Sequence, residues 1–183
     1  MSMIVYQSTL PTGEEIIIRY PQEADTKEYL NFINELSAEQ TYILFQGKVI
    51  TMEEEEQYIT SVVKQIEEKK YLMLSLWVDG VLAGNSDVRM QSDALKHEGI
   101  FGIALRKAFR GKGLGKLLMG KVLEHAENEL PDLHVITLGV FGENMIGREM
   151  YKKFGFKEYG WLPESIIRKG TFDDHIFMYK KIR

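Results

Sequence analysis

The alternation of apolar and polar positions along the chain predicts strands and amphipathic helices in mixed order. Residues 14–20, Glu-Glu-Ile-Ile-Ile-Arg-Tyr, make a β-rich run stopped by Pro21. Residues 25–36 carry a helical period with Tyr29, Leu30 and Ile33 inward. A loop-like stretch over 37–51 precedes a second helix, opened by Thr51 with Glu54 three residues on, the spacing of a capping box. Residues 71–78 and 81–90 read as strands joined by Asp79-Gly80, a two-residue hairpin signal, and a third strand runs from about 97 to 105. Leu114, Leu117, Leu118, Val122 and Leu123 then form the single apolar stripe of a helix. Residues 134–141 read as a buried strand. A further helix starts near Asn144, with Ile146, Met150 and Phe154 on its core face and Gly155 as its stop. Residues 159–162 and 172–180 close the chain as a strand pair. The glutamates at 53–56 suggest either a cation site, for a polyamine or a metal, or a first helical turn where the helix dipole favours acidic residues; the second is favoured because consecutive positions fan around the axis instead of converging on a ligand.

Length and composition narrow the class. A chain of 183 residues fits one globular domain spanning 1–183, and 44% hydrophobic with 27% charged residues is ordinary for a soluble fold. The net charge of −4 argues against a general nucleic-acid binder, because the basic residues between 106 and 121 form a local patch on an acidic background. The absence of cysteine excludes disulfides, thiolate metal sites and a cysteine nucleophile, so any acyl transfer is direct or uses another nucleophile. No metal is expected. The first five residues hold no long apolar region, so neither a leader nor a membrane partner is expected and the cytoplasm is the expected compartment.

The most informative run is Arg110-Gly111-Lys112-Gly113-Leu114-Gly115-Lys116, between a strand and an amphipathic helix. Three alternating glycines let the backbone turn tightly and approach a ligand, so successive N–H groups can converge on one anion. The helix that follows adds its positive dipole end and unpaired amides. Arg110, Lys112 and Lys116 add formal charge. The run therefore reads as a pyrophosphate cradle, with a basic surface turn before an ordinary helix as the alternative. Two rival motifs fail. A dinucleotide fingerprint needs a third glycine where Lys116 or Leu118 stands, and a P-loop starting at Gly115 ends on Val122, which has no hydroxyl for magnesium.

What fits is R/Q-x-x-G-x-G, filled by Arg110, Gly113 and Gly115, and it resembles the acyl-CoA site of the GNAT superfamily of N-acetyltransferases. A second match lies in Asn144-Met-Ile-Gly-Arg-Glu-Met-Tyr151-Lys-Lys-Phe-Gly-Phe156, similar to the superfamily's N-x-x-A-x-x-x-Y-x-K-x-G-F region, with Gly147 where alanine is usual. That glycine costs roughly 1 kcal/mol of helix propensity and removes no chemical group. On a helix, Asn144, Gly147, Arg148 and Tyr151 share one side. The resemblance implies an α/β fold: a central mixed, twisted sheet flanked by helices and splayed between the strand ending at Leu105 and the strand ending near Val140. It places acetyl-CoA in that splay, its pantetheine arm on the backbone around Ile103 and Leu105 and its pyrophosphate on the amides from Gly111 to Lys116. Specific motifs cover only residues 97–156.

The implied reaction is transfer of the acetyl group of acetyl-CoA to a primary amine. Tyr151 carries over as the general acid that protonates the leaving thiolate, with a half-buried helix tyrosine as its alternative. Asn144 is a helix N-cap, a ligand of the cofactor arm, or both. His97 and Glu98 are candidates for the general base at the start of the third strand, and a hydrogen-bonded strand-end role is the alternative for each. A C-terminal G-x-x-x-D-x-x-x-M pattern, filled by Gly170, Asp174 and Met178, resembles the bacterial small-molecule and ribosomal-protein acetyltransferase branch. The acceptor is bounded by the 37–51 loop, with Tyr42, Leu44 and Phe45, and by the C-terminal pair near 161–172. Its identity stays open among protein N-termini, polyamines, amino acids and antibiotics. The same residues are equally candidates for core or homodimer contacts. The competing class is a CoA-binding sensor or interaction module without catalysis.

Overall fold

Eight strands form one sheet in the order β1-β2-β3-β4-β5-β6-β8-β7. The structure, a computed structural model, describes residues 4–183, so the expectation of no leader falls partly on residues outside the described ones. In chain order the elements are β1 (Ile4–Thr9), β2 (Glu15–Arg19), α1 (Thr26–Glu39), α2 (Met52–Glu67), β3 (Tyr71–Val78), β4 (Val81–Met90), β5 (Glu98–Leu105), α3 (Leu114–Glu129), β6 (Val135–Phe141), α4 (Met145–Lys153), β7 (Lys157–Arg168) and β8 (Thr171–Lys181). All neighbouring strands are antiparallel except β5 and β6, joined through α3. The expected mixed sheet flanked by helices is the observed one.

Successive strand residues point to opposite faces, which gives the sheet two apolar sides. On one side Leu72, Leu74, Phe101, Ile136, Leu138, Ile176 and Met178 pack with Leu114, Leu118, Met119 and Val122 of α3. On the other, Tyr71, Met73 and Trp77 pack with Tyr29, Phe32 and Leu36 of α1 and Ile59 and Val62 of α2. α2 opens on the expected capping box: the Thr51 side chain accepts from Glu54 N–H, while the Glu54 carboxylate accepts from Thr51 N–H.

Four details depart from the periodic reading. Residues 4–9 form β1, which the short and partly polar Ile-Val-Tyr-Gln-Ser-Thr did not signal; it is an edge strand held by β2. α1 turns Phe32 and Leu36 fully inward, whereas Leu30 and Ile33 are half-buried at the stripe's margins. α4 is rotated relative to the expected core face. Ile146 is 87% exposed, while Gly147 and Tyr151 are buried. The closing pair is also longer than expected, a hairpin with a bulge between Leu162 and Ile166.

Candidate functional site

The parallel pair β5/β6 is short. It registers Glu98 with Val135, Gly99 with Ile136 and Ile100 with Thr137, and then the strands part. On its far side β5 stays bonded to β4 through Leu105, and β6 stays bonded to β8 through Phe141. The facing edges over Phe101–Leu105 and 138–141 are thus left without strand partners. Such edges accept an extended ligand by strand addition. Ile103 and Leu105 lie on the open stretch, with side chains packed toward α3.

At the open end of β5 the chain enters the glycine-rich loop. Gly111 and Gly113 take positive φ, 76° and 79°, and Gly113 is the N-cap of α3. Side-chain-bearing residues are strained there, and none of the described residues comes within 4 Å of the space a Cβ would occupy at either position. The amides of Gly111, Lys112 and Gly113 find no backbone acceptor among the described residues. Those of Leu114, Gly115 and Lys116 belong to the helix's first turn, which has no intrahelical acceptors. The outcome is an open concave run of N–H groups at a helix N-terminus.

Arg110 is used differently from a simple charge beside an anion. Its Nη1 and Nη2 donate to the Glu39 carboxylate at 2.6 and 2.8 Å, and its Nε donates to the Leu105 carbonyl at 2.9 Å. This ties the end of α1 and the end of β5 to the loop, and the Arg110 guanidinium holds the Glu39 carboxyl below the usual carboxylate range. Lys112 lies 5.8 Å over the Phe109 ring. Lys116 lines a groove of 420 Å³ with Met145, Ile146, Glu149, Met150, Lys153 and Phe154, so the exposed Ile146 belongs to a wall between α3 and α4.

α4 begins as its sequence dictates. The Asn144 side chain accepts from Gly147 N–H at 2.9 Å, a helix cap. A Cβ at Gly147 would approach the Asn144 side-chain nitrogen to 2.6 Å, so glycine leaves room for the cap in its present rotamer. One turn on, the Tyr151 ring packs edge-on against Phe101 at 6.1 Å and beside Phe156 at 6.1 Å. Its hydroxyl has no hydrogen-bond partner among the described residues, and burial pushes its pKa up to about 12, so the phenol holds its proton at neutral pH. The structure brings Tyr151 against β5 where that strand leaves β6.

His97 and Glu98 stand at the other, closed end of the pair. The Glu98 carboxylate accepts from Thr137 Oγ1 at 2.7 Å. The exposed His97 holds the start of β6 through its carbonyl, which accepts from His134 N–H at 2.9 Å. At about 3.3 Å per residue, His97 lies roughly 20 Å along the strand from Ile103. The C-terminal pattern has an architectural part: Gly170 turns the β7–β8 hairpin, the Asp174 carboxylate accepts from Glu164 N–H at the β7 bulge, and Met178 is fully buried. Of the loop residues, Tyr42 packs on Phe141 at 5.7 Å, bringing the 37–51 segment over the end of β6, and Leu44 is 77% exposed.

Sequence reasoning missed Asp87 of β4 and His175 of β8. Their only sequence signal is a glycine on the neighbouring strand, Gly102 and Gly139 respectively, which means nothing until the strand register is known.

An open β5/β6 pair beside a cradle of free amides is the frame of an acyl-CoA acetyltransferase, and the comparisons agree. The profile of the acetyltransferase (GNAT) family matches residues 30–156, and the chain belongs to that family. It is similar to the L-amino acid N-acetyltransferase AaaT of Escherichia coli (strain K12), 28% identical over 102 residues; that stretch is 55% of this chain and 62% of the relative. It resembles the crystal structure of an acetyltransferase of the GNAT family from Streptococcus pneumoniae, with a TM-score of 0.83 and 26% identity over 92% of this chain and 99% of the other. It also shares its fold with yncA of Salmonella typhimurium, a putative acetyltransferase solved with its cofactor acetyl-CoA, at a TM-score of 0.80 and 18% identity over 92% of this chain and 94% of that one.

Proposed function

We propose that the protein is an acetyl-CoA-dependent N-acetyltransferase that moves the acetyl group directly to a primary amine. The observation that carries this reading is the parting of β5 and β6 after Ile100 and Thr137, with the free amides of 111–116 at one end and Tyr151 beside the gap. In this reading the pantetheine arm adds to the edge of β5 around Ile103 and Leu105. The pyrophosphate sits on the amides from Gly111 to Lys116, with Lys112 and Lys116 supplying charge. The adenosine end lies in the groove between α3 and α4, where Lys116 and Lys153 suit its 3′-phosphate and Ile146 and Met150 suit its ring. Tyr151 donates its proton to the departing sulfur. The name of the Escherichia coli relative supports an amine acceptor. No helix among the described residues is long and apolar enough to cross a membrane. We place the reaction in the cytoplasm, where acetyl-CoA is available. The exposed Trp161, Leu162, Ile167 and Phe172 of the β7–β8 hairpin offer a homodimer contact.

Acetyl-CoA is expected to raise the melting temperature by mass action on the folded state. Calorimetric titration together with a screen of amines for thiol release decides the reading. Absence of binding at millimolar acetyl-CoA would sink it, and binding without turnover on any amine would leave a sensor.

Arg110 gives a separate expectation. As the strap between Glu39, Leu105 and the loop, it preorganises the cradle. Arg110→Ala is expected to weaken acetyl-CoA binding about tenfold, or roughly 1.4 kcal/mol. Glu39→Gln leaves the arginine charge in place and loosens the strap, so it is expected to weaken binding as well. Were Arg110 a direct phosphate ligand, Glu39→Gln would leave the calorimetric affinity unchanged.

A further inference from the structure

Gly102 and Gly139 occupy equivalent places on the two strands that part, each two residues beyond the last registered pair, Ile100 with Thr137. Both turn the same face to the α1–α2 layer, because the residues flanking them, Phe101 and Ile103 on β5 and Leu138 and Val140 on β6, pack on the α3 side. Each is roofed by a titratable side chain from the strand outside it. Asp87 is registered with Gly102, and its Oδ1 lies 2.9 Å from where a Gly102 Cβ would be. The His175 ring covers Gly139 so closely that any Cβ there would collide with it, Nε2 being the nearest atom. Glycine on both inner strands therefore lets Asp87 and His175 lean toward the gap from its two sides.

The partners of these groups leave the gap-facing atoms free. The second Asp87 oxygen, Oδ2, accepts from the Tyr71 hydroxyl at 3.1 Å, and Tyr71 is in turn 3.3 Å from the Tyr58 hydroxyl of α2. Oδ1 has no hydrogen bond among the described residues. The His175 ring lies against Phe177, 4.3 Å between centroids, and neither of its nitrogens has a partner among the described residues. Both side chains are partly exposed. Glu55 of α2, only 5% exposed and with a carboxyl that has no hydrogen-bond partner among the described residues, adds a second carboxyl to the α1–α2 layer.

We infer that the acceptor amine enters from the α1–α2 face between Asp87 and His175, with Asp87 anchoring the ammonium group and His175 Nε2 taking its proton. This rests on the acetyl-transfer reading and gives that reaction its acceptor side: a primary alkylammonium, recognised by a carboxylate and set among aromatic rings. An arm added between β5 and β6 separates the strands to about 10 Å, so a nitrogen over the thioester lies roughly 5 Å from either strand, within reach of both overhanging groups. Burial lowers the His175 pKa, leaving the ring neutral and able to accept a proton. Desolvation raises the Asp87 carboxyl to about 7, and a cation bound beside it favours its ionised form.

The step balances as follows. The ammonium gives one proton to His175 Nε2, and the freed lone pair forms the N–C bond at the acetyl carbonyl carbon. Collapse of the tetrahedral intermediate breaks the C–S bond, and the sulfur takes the Tyr151 proton. The nitrogen's second proton leaves through solvent and restores the phenol, while His175 returns its proton to solvent. Because Phe101 packs on Tyr151 and Gly102 lies under Asp87, the acid and the ammonium anchor stand on opposite faces of one strand, and the thiolate leaves away from the incoming amine.

The chain has four histidines, which makes the test direct. With ¹³C-labelled histidine, saturating acetyl-CoA is expected to shift the His175 ring resonances, assigned through His175→Gln, and to leave those of His97 in place. No change at His175 in protein shown by calorimetry to be saturated would overturn the placement without touching the cofactor reading. With the best amine from the thiol-release screen, His175→Gln is expected to lower kcat roughly 100-fold or more. Asp87→Asn is expected mainly to raise the acceptor KM. Both variants should keep the wild-type acetyl-CoA affinity within a few-fold. Wild-type turnover in His175→Gln, or a loss confined to His97→Gln or Glu98→Gln, would overturn the assignment. If no amine is turned over, the acetyl-transfer reading fails, and a still His175 signal would sink this inference as well.

Discussion

Tyr151→Phe is expected to lower the rate of acetyl transfer by roughly 100- to 10,000-fold, the span lost when a positioned general acid is removed. The substitution deletes one oxygen from a ring that is otherwise packed against Phe101 and Phe156, so the hole is small and the fold is spared. Acetyl-CoA affinity should stay within a few-fold, which separates a chemical role from a binding one. Because burial lifts the phenol to about 12, the wild-type enzyme should not lose its acid through the ordinary phenol range near pH 10. Rapid-quench measurement of a single turnover isolates the step. Unchanged turnover with a good acceptor would show that the sulfur leaves without this proton.

Gly113→Val is expected to abolish detectable acetyl-CoA binding. Gly113 sits at φ 79° as the N-cap of α3, a conformation in which a β-branched side chain is strongly disfavoured. The backbone must relax to negative φ, which swings the amides of the loop away from a common point. None of the described residues presses on the Gly113 Cβ position, so the damage falls on the loop and on the ligand approaching it. The unliganded protein should keep its circular dichroism spectrum and lose only a few degrees of stability, while the acetyl-CoA-induced rise in melting temperature disappears. A wild-type thermal shift in this variant would place the pyrophosphate elsewhere. Gly113→Ala is expected to fall between the two, since alanine tolerates left-handed backbone at a cost of roughly 1–2 kcal/mol.

Some of this site was legible before any fold was known because its chemistry is local. Alternating glycines in front of an apolar helical stripe predict a tight turn with unpaired amides, since both arise from residues adjacent in the chain, and Gly111 and Gly113 take positive φ there. The Asn144 cap and the tyrosine seven residues beyond it are likewise spaced by the helix itself. The β3–β4 hairpin was readable from Asp79-Gly80, which bring their own positive φ.

Where two segments must meet, a local pattern has no purchase. The rotation of α4, which buries Tyr151 and exposes Ile146, is set by what α3, β5 and the 156 region present to it. Ile146 is the more apolar of the two, so hydropathy alone favours burying the residue that the fold leaves exposed. Arg110 looked like one more charge in a basic run until the end of α1 brought Glu39 within 2.6 Å of it. Asp87 and His175 are 88 positions apart in a strand pattern that distinguishes neither, and only the sheet order β4-β5-β6-β8 sets them on either side of one gap. Residues adjacent in the chain specify most of the elements, though not β1, together with the glycine turn before α3 and the helical placement of Tyr151, because turn, cap and period are short-range backbone physics. The splay between β5 and β6 was already implied by the family resemblance, but which carboxylate and imidazole overhang it emerges only in the folded chain, because register and strand order come from packing summed over all its elements.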